Sequence, residues 1–271
     1  MRRFSWFNAT SLTFGFAFLY LPMIILVFYS FNESKLVTVW AGFSTKWYGE
    51  LLRNDAFLDA AMVTLKVAVA SSTIATVLGT MAAYVLVRAG RFTGRTVFSG
   101  MIYAPLVMPD VITGLSLLLL FIGVGLDRGI TTIILAHTTF AMCYVSVVVS
   151  SRLVTFDRSL EEAALDLGCT PFESFRLVTL PIIAPAVISG WLLAFTLSLD
   201  DLVIASFTAG PSATTLPIKI FSAVRLGVSP EINALSTIMI AIVTVGVITA
   251  SLMSKRAAVK RAEDERAAVR A

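Results

Sequence analysis

Apolar residues dominate the chain in six long runs, at 11–31, 58–87, 98–124, 129–150, 183–208 and 233–254. Each run is long enough to cross a bilayer core, which takes about 20 helical residues. The second run is interrupted by Ser71, Ser72, Thr73, Thr76 and Thr80, small polar residues that favour close helix packing in a membrane. The pattern predicts an all-α polytopic protein with six transmembrane helices. The first run follows Arg2 and Arg3 but no small-x-small cleavage signal follows it, so it is read as an uncleaved span.

The longest polar interruption, 151–182, predicts two short helices. Ser159 with Glu162, and Thr170 with Glu173, have the spacing of capping boxes. Leu160, Ala163, Ala164 and Leu167 fall on one face at helical spacing. Gly168 suits the left-handed position that ends a helix. Pro171 suits a first helical turn, and Phe172, Phe175 and Val178 form a second apolar stripe. These features alone fit an amphipathic elbow lying on the membrane.

Composition supports the membrane reading. Of 271 residues, 57% are hydrophobic and only 14% charged, and the mean hydropathy is +0.87. Soluble domains carry roughly 25% charged residues. With the N-terminus inside, inner segments hold fourteen Lys and Arg and outer segments six, so both termini are expected in the cytoplasm. The net charge of +4 is spread over these flanks, which gives no case for nucleic acid. Cys143 and Cys169 form no metal-binding pattern. There is no GxxxxGK[ST] phosphate loop, so ATP is not bound in that way.

Outer segment 32–57 carries Trp40, Trp47 and Tyr48, expected as interfacial anchors or as a docking surface. Loop 209–232, rich in Gly and Pro, is a candidate gate or docking loop, or an ordinary connection. The tail 255–271 reads as a charged extension of the last helix.

Glu162-Ala163-Ala164, then Gly168, Phe175 and Leu180-Pro181, resembles the EAA loop of ABC importer permeases. The resemblance implies a type I importer permease fold in a single permease domain, 1–271. It also implies a bacterial inner-membrane location and a coupling helix built from Glu161, Glu162, Ala163, Ala164, Gly168, Phe175 and Pro181. Glu162 has a competing role as a simple helix cap. The implied partners are a homologous second permease, two copies of an ATPase that binds ATP and Mg, and a periplasmic binding protein. No cofactor is expected in this chain, and no catalysis.

Phe195-TLSLDDLVIASFTAGPSATTLP-Ile218, Val228-SPEINALST-Ile238 and Pro105-LVMPD-Val111 are similar to membrane subunits of putrescine/spermidine importers. The Leu-Asp-Asp segment and the ATTLP loop point to the putrescine-type subunit. Ionisable residues within spans give independent support, because they are costly and usually face a pathway or partner. Asp110, Asp200 and Asp201 are expected in the outer half of the membrane, Asp110 roughly 20 Å in from the inner end of its span at 1.5 Å per residue. Lys66 and His137 fall at a similar level.

A polycation needs carboxylates for its ammonium groups and apolar or aromatic walls for its methylenes. Tyr103, Trp191, Phe195 and Phe207 are candidates for the walls. Adjacent Asp200 and Asp201 are about 100° apart on a helix, so only one is expected to face a central path. Alternatively, Lys66 neutralises an aspartate, or the Asp pair is solvated at the interface. A permease for another small cationic or organic solute is the alternative cargo. A secondary amine carrier using Asp110, Asp200 and His137 as a relay is a second alternative. An intramembrane enzyme is a third, for which no HExxH, GxSxG or GxGD motif is present.

Overall fold

The computed structural model describes residues 6–36, 39–227, 229–245 and 248. Its helices run in the order α1 (Trp6–Tyr29), α2 (Lys46–Leu51), α3 (Asp55–Arg88), α4 (Arg95–Val107), α5 (Asp110–Gly123) and α6 (Ile130–Thr155). Next come α7 (Ser159–Asp166), α8 (Pro171–Ser174), a π-helical turn (Phe175–Thr179), α9 (Leu180–Asp200), α10 (Val203–Thr208), α11 (Leu216–Leu226) and α12 (Pro230–Val245). Four helices are long and apolar enough to cross a membrane, and five if α4 and α5 form one bent span. The sixth expected span begins with α12 and continues beyond the described residues, as does the tail from Lys255.

The chain divides into two compact units, Met1–Asp55 with Ser222–Ala271, and Ala56–Phe221. In the first unit, α1 buries none of its residues. A helix apolar all round suits lipid contact. The segment after α1 folds around Asn32, whose Oδ1 accepts from the Ser34 and Ala41 N–H groups and whose Nδ2 donates to Val39 O. Trp47 Nε1 donates to Asn32 O at 2.7 Å, and Trp47 is 4% exposed. Trp47 is therefore a core residue of a small folded segment, not an exposed anchor. Trp40 stacks on Phe28 at 4.5 Å.

In the second unit α6 is the central helix, and Val145 is its contact point for two neighbours. A Cβ on Gly79 of α3 would lie 2.7 Å from Met142 O and 2.8 Å from Val145 Cβ, and one on Gly190 of α9 would lie 3.2 Å from Val145 Cγ1. Glycine at both positions lets α3 and α9 approach α6 closely. α9 buries Ile183, Gly190, Ala194 and Ser198. Its opposite stripe, Ile188, Leu192, Thr196 and Asp200, is exposed.

Two of the expected spans are broken. The run 98–124 is not one helix, because α4 and α5 meet at 117°. Pro109 has no N–H to continue the ladder, and it holds Met108 extended at φ −76°, ψ 135°. The run 183–208 breaks after Asp200, where Asp201 turns extended at φ −64°, ψ 121°. The two broken spans pack together, since a Cβ on Gly114 of α5 would strike Phe207 and crowd Ile204 of α10.

Candidate functional site

The loop between α6 and α9 forms the two predicted helices, with one cap relocated. Thr170 and Glu173 make the expected box: Glu173 N–H donates to Thr170 Oγ1 and Glu173 Oε2 accepts from Thr170 N–H at 2.8 Å. These bonds to the ionised form hold the Glu173 carboxyl below its ordinary value. Ser159 and Glu162 do not form a box. Ser159 is already helical, and Asp157 caps instead, Oδ1 accepting from Ser159 N–H at 3.0 Å. That bond lowers the Asp157 carboxyl.

Gly168 takes φ +91°. Its N–H donates to Leu165 O, and Cys169 N–H donates to Ala164 O, the paired bonds of a Schellman end. The expected apolar face is only partly inward. Ala164 is buried, whereas Leu160, Ala163 and Leu167 are exposed, as is Phe172. The loop thus presents an apolar surface outward from the unit.

Its two adjacent glutamates point opposite ways. Glu162 is exposed and pairs with Arg158 one turn earlier at 3.2 Å. Glu161 is buried, with Oε1 accepting from Thr179 Oγ1 at 2.6 Å and Oε2 lying 2.9 Å from Arg88 Nε. Phe175 turns inward, edge-on to Tyr84 of α3 at 5.0 Å. Pro181 starts α9 at a position where the missing N–H is tolerated.

The second candidate region is the helix break at 200–203. Asp201 is not a free path residue. Its carboxylate accepts from Ile204 N–H at 3.3 Å and Ala205 N–H at 2.7 Å, capping α10. It also lies 3.2 Å from His137 Nε2, outside hydrogen-bond geometry, while His137 Nδ1 is 2.7 Å from Ser198 Oγ. Ser71 Oγ donates to Ser198 Oγ at 3.2 Å, so α3, α6, α9 and the start of α10 meet in one buried polar chain.

Asp200 is exposed at the end of α9, where no cap N–H turns back onto the helix. A helix C-terminus with free carbonyls and a carboxylate attracts cations. Trp191 and Phe195 stack at 5.1 Å and 9°, about two and a half and one and a half turns before Asp200, and Trp191 Nε1 donates to Thr73 Oγ1.

Asp110 is exposed, and it is not buried mid-way along a continuous helix. It opens α5, where the helix dipole favours a carboxylate. Tyr103 packs with the Ala82, Leu86 and Ile102 cluster, and Phe207 against Gly114. Lys66 is exposed and forms no ion pair with an aspartate among the described residues. Arg88, Thr179 and Ser198 were not singled out by the sequence. Arg88 reads there only as a basic flank, and the hydroxyls as helix-packing residues.

Helices broken at acidic residues, above a loop of two capped helices, define the membrane subunit of a transporter. Solved structures with this fold include a bacterial ABC transporter importing the acidic polysaccharide alginate (TM-score 0.71, 18% identity, 91% of this chain and 94% of that one). The MetNI methionine ABC transporter is another (TM-score 0.60, 18% identity, 77% and 95%).

Residues 75–262 match the family model of the binding-protein-dependent transport system inner membrane component, and the chain belongs to that family. It is 63% identical over 248 residues to the putrescine transport system permease protein PotI of Escherichia coli (strain K12), covering 89% of this chain and 88% of that one. It is 45% identical over 240 residues to the spermidine/putrescine transport system permease protein PotC of the same strain, covering 89% and 90%. The chain is therefore a membrane-embedded permease of an ABC importer, a transport component and not an enzyme.

Proposed function

We propose that the chain moves polyamines, putrescine foremost, from periplasm to cytoplasm as half of a pore completed by a homologous permease. The likeness to putrescine and spermidine permeases supports the cargo class. The observation that carries the site is Asp200, a carboxylate with no ion-pair partner among the described residues, ending the exposed stripe of α9. A charged group facing lipid costs about 3 kcal/mol. That cost favours a stripe facing the second permease or the path between them. There the carboxylate and the α9 carbonyls suit the ammonium end of a short flexible diamine. Asp110, at the other break, is the second carboxylate of this reading.

A periplasmic polyamine-binding protein delivers the cargo, so the pore needs only a transient cation site. Two copies of a cytoplasmic ATPase, holding ATP and Mg, dock on α7 and α8 through Glu162, Ala163 and the exposed apolar residues around Gly168. Both termini face the cytoplasm, in keeping with the excess of Lys and Arg on the inner segments.

The test is uptake and ATP hydrolysis by the reconstituted complex, titrated with putrescine, spermidine and an oligopeptide, for wild type and Asp200→Asn. Polyamines alone are expected to stimulate hydrolysis, and Asp200→Asn to cut putrescine uptake by about tenfold, the effect of one lost charge-assisted contact. Stimulation that ignores the substitution moves the site elsewhere. Failure of every polyamine retires the cargo.

A further inference from the structure

We infer that Arg88, Glu161 and Thr179 form a latch that makes the coupling loop, the end of α3 and the base of α9 move as one body. The inference rests on the reading of α7 and α8 as the surface an ATPase grips. It adds how that grip reaches the spans, through residues that face inward and touch no ATPase.

The geometry begins with Glu161. It sits in the first turn of α7, yet it is buried under the loop and not directed to solvent. One oxygen accepts from the Thr179 hydroxyl and the other lies 2.9 Å from Arg88 Nε as an ion pair outside hydrogen-bond geometry, the Glu161 and Arg88 side chains being 10% and 12% exposed. Its backbone carbonyl accepts from Ser174 Oγ at 3.4 Å. A single residue of α7 is thereby tied to α3, α8 and the π-helical turn.

That turn has a role here. The π register at Phe175–Thr179 adds one residue to the run from α8 into α9. Within it Phe175 faces Tyr84 and Thr179 faces Glu161. Tyr84 and Arg88 are one turn apart on α3, so they form two adjacent grips on the same neighbour. Arg88 makes a third tie, its guanidinium 5.4 Å from the Phe156 ring and Nη2 donating to Phe156 O at 3.5 Å, just before α7.

Buried ion pairs are strongly directional, because parting them strands a desolvated charge. A loop held only by apolar contacts could slide when pulled. One held at Glu161 drags α3 and α9 with it. Glu161 and Arg88 are positioning residues in this scheme, and Glu162 is the outward one.

The test uses the complete reconstituted importer. Spin labels go on Asp166→Cys in α7 and Ala89→Cys just past α3, both exposed positions, with Cys169→Ser; native Cys143 is buried. In the otherwise wild-type chain one narrow label distance is expected, unchanged between the nucleotide-free and ATP-vanadate states. In Glu161→Ala or Arg88→Ala the distance should broaden or split on trapping. Putrescine carried per ATP should fall by about tenfold, within the usual range of coupling factors.

The charge swap Glu161→Arg with Arg88→Glu should restore the single distance, which a mere folding defect would not do. Thr179→Val, which removes one hydroxyl, should give a milder loss if the alanine variants fail to assemble. Labels that stay locked in Glu161→Ala, or that loosen equally in the exposed control Arg91→Ala, overturn the latch. The label distances need no cargo. If no polyamine stimulates the wild type, the cargo reading falls while the latch is still decided.

Discussion

Two pairs of adjacent carboxylates, Glu161–Glu162 at the coupling loop and Asp200–Asp201 at the α9 break, divide their labour in the same way. In each pair one member is turned into the protein and satisfied by several partners, and the other is turned out. Glu161 takes Arg88 and Thr179, and Asp201 takes two N–H groups and faces His137. Glu162 and Asp200 are exposed. Neighbours on a helix differ by about 100°, so a doubled acid reliably puts one group in each environment. The comparison also shows a difference. The loop pair lies within one helix, while the Asp pair straddles a break, so the inward Asp201 caps a new helix and the outward Asp200 closes an old one.

The largest test of this division is thermal stability at the break. Asp201→Ala removes the two N–H contacts that cap α10 and the acid facing His137, a loss of about 2 kcal/mol for a part-buried cap. Asp200→Ala should stay within about 0.5 kcal/mol, as exposed substitutions do. Melting of the detergent-solubilised complex checks both, and equal losses would erase the distinction. A finer version uses His137→Ala alone and with Asp201→Ala. Residues sharing one polar chain are non-additive, so the double variant should lose about 1 kcal/mol less than the sum. Additive losses would show that the 3.2 Å approach of Nε2 to Asp201 carries no interaction energy.

Much of this was legible in the chain, and what was missed has physical causes. The Thr170–Glu173 box and the Gly168 turn are local chemistry, set by residues three to six apart, and both form as expected. The Ser159–Glu162 box does not form because Asp157 takes the Ser159 N–H and the Glu162 N–H goes to Arg158 O. The break at Met108–Pro109 had a signal in two prolines four residues apart, Pro105 and Pro109, which hydropathy averages away. Arg88–Glu161 joins residues 73 apart in sequence, and no local pattern encodes that pairing. A continuous helix does not decide which aspartate faces out. The break decides it, because Asp201 is drawn into capping.

At the loop, the exposed member of the pair should behave like Asp200 and not like its neighbour. Glu162→Gln breaks only an exposed pair with Arg158, worth about 0.4 kcal/mol. Melting should barely change, whereas the dependence of hydrolysis on added ATPase subunit should weaken several-fold if Glu162 is part of the docking surface. A large melting change with unaltered assembly would reverse the assignment and make Glu162 a structural cap.

The smallest effect is a pH dependence confined to α8. Glu173 is fully ionised in the folded loop at neutral pH, and its carboxyl is held below the ordinary range by the Thr170 N–H and hydroxyl. A depressed folded value means the cap stabilises the loop above the unfolded carboxylate range. The contribution is lost as pH falls through the depressed value. Amide exchange at Glu173 and Ser174, corrected for intrinsic rates, should therefore accelerate on acidification in the wild type. In Glu173→Ala it should be already fast at neutral pH and no longer respond. The Glu173 cap touches neither Glu161 nor Asp201, so the amides beside those residues should keep their protection while α8 loosens. Loosening of the whole loop together would mean that the Glu173 cap and the Glu161 contacts form one cooperative unit, and the two faces of the loop could not then be varied independently.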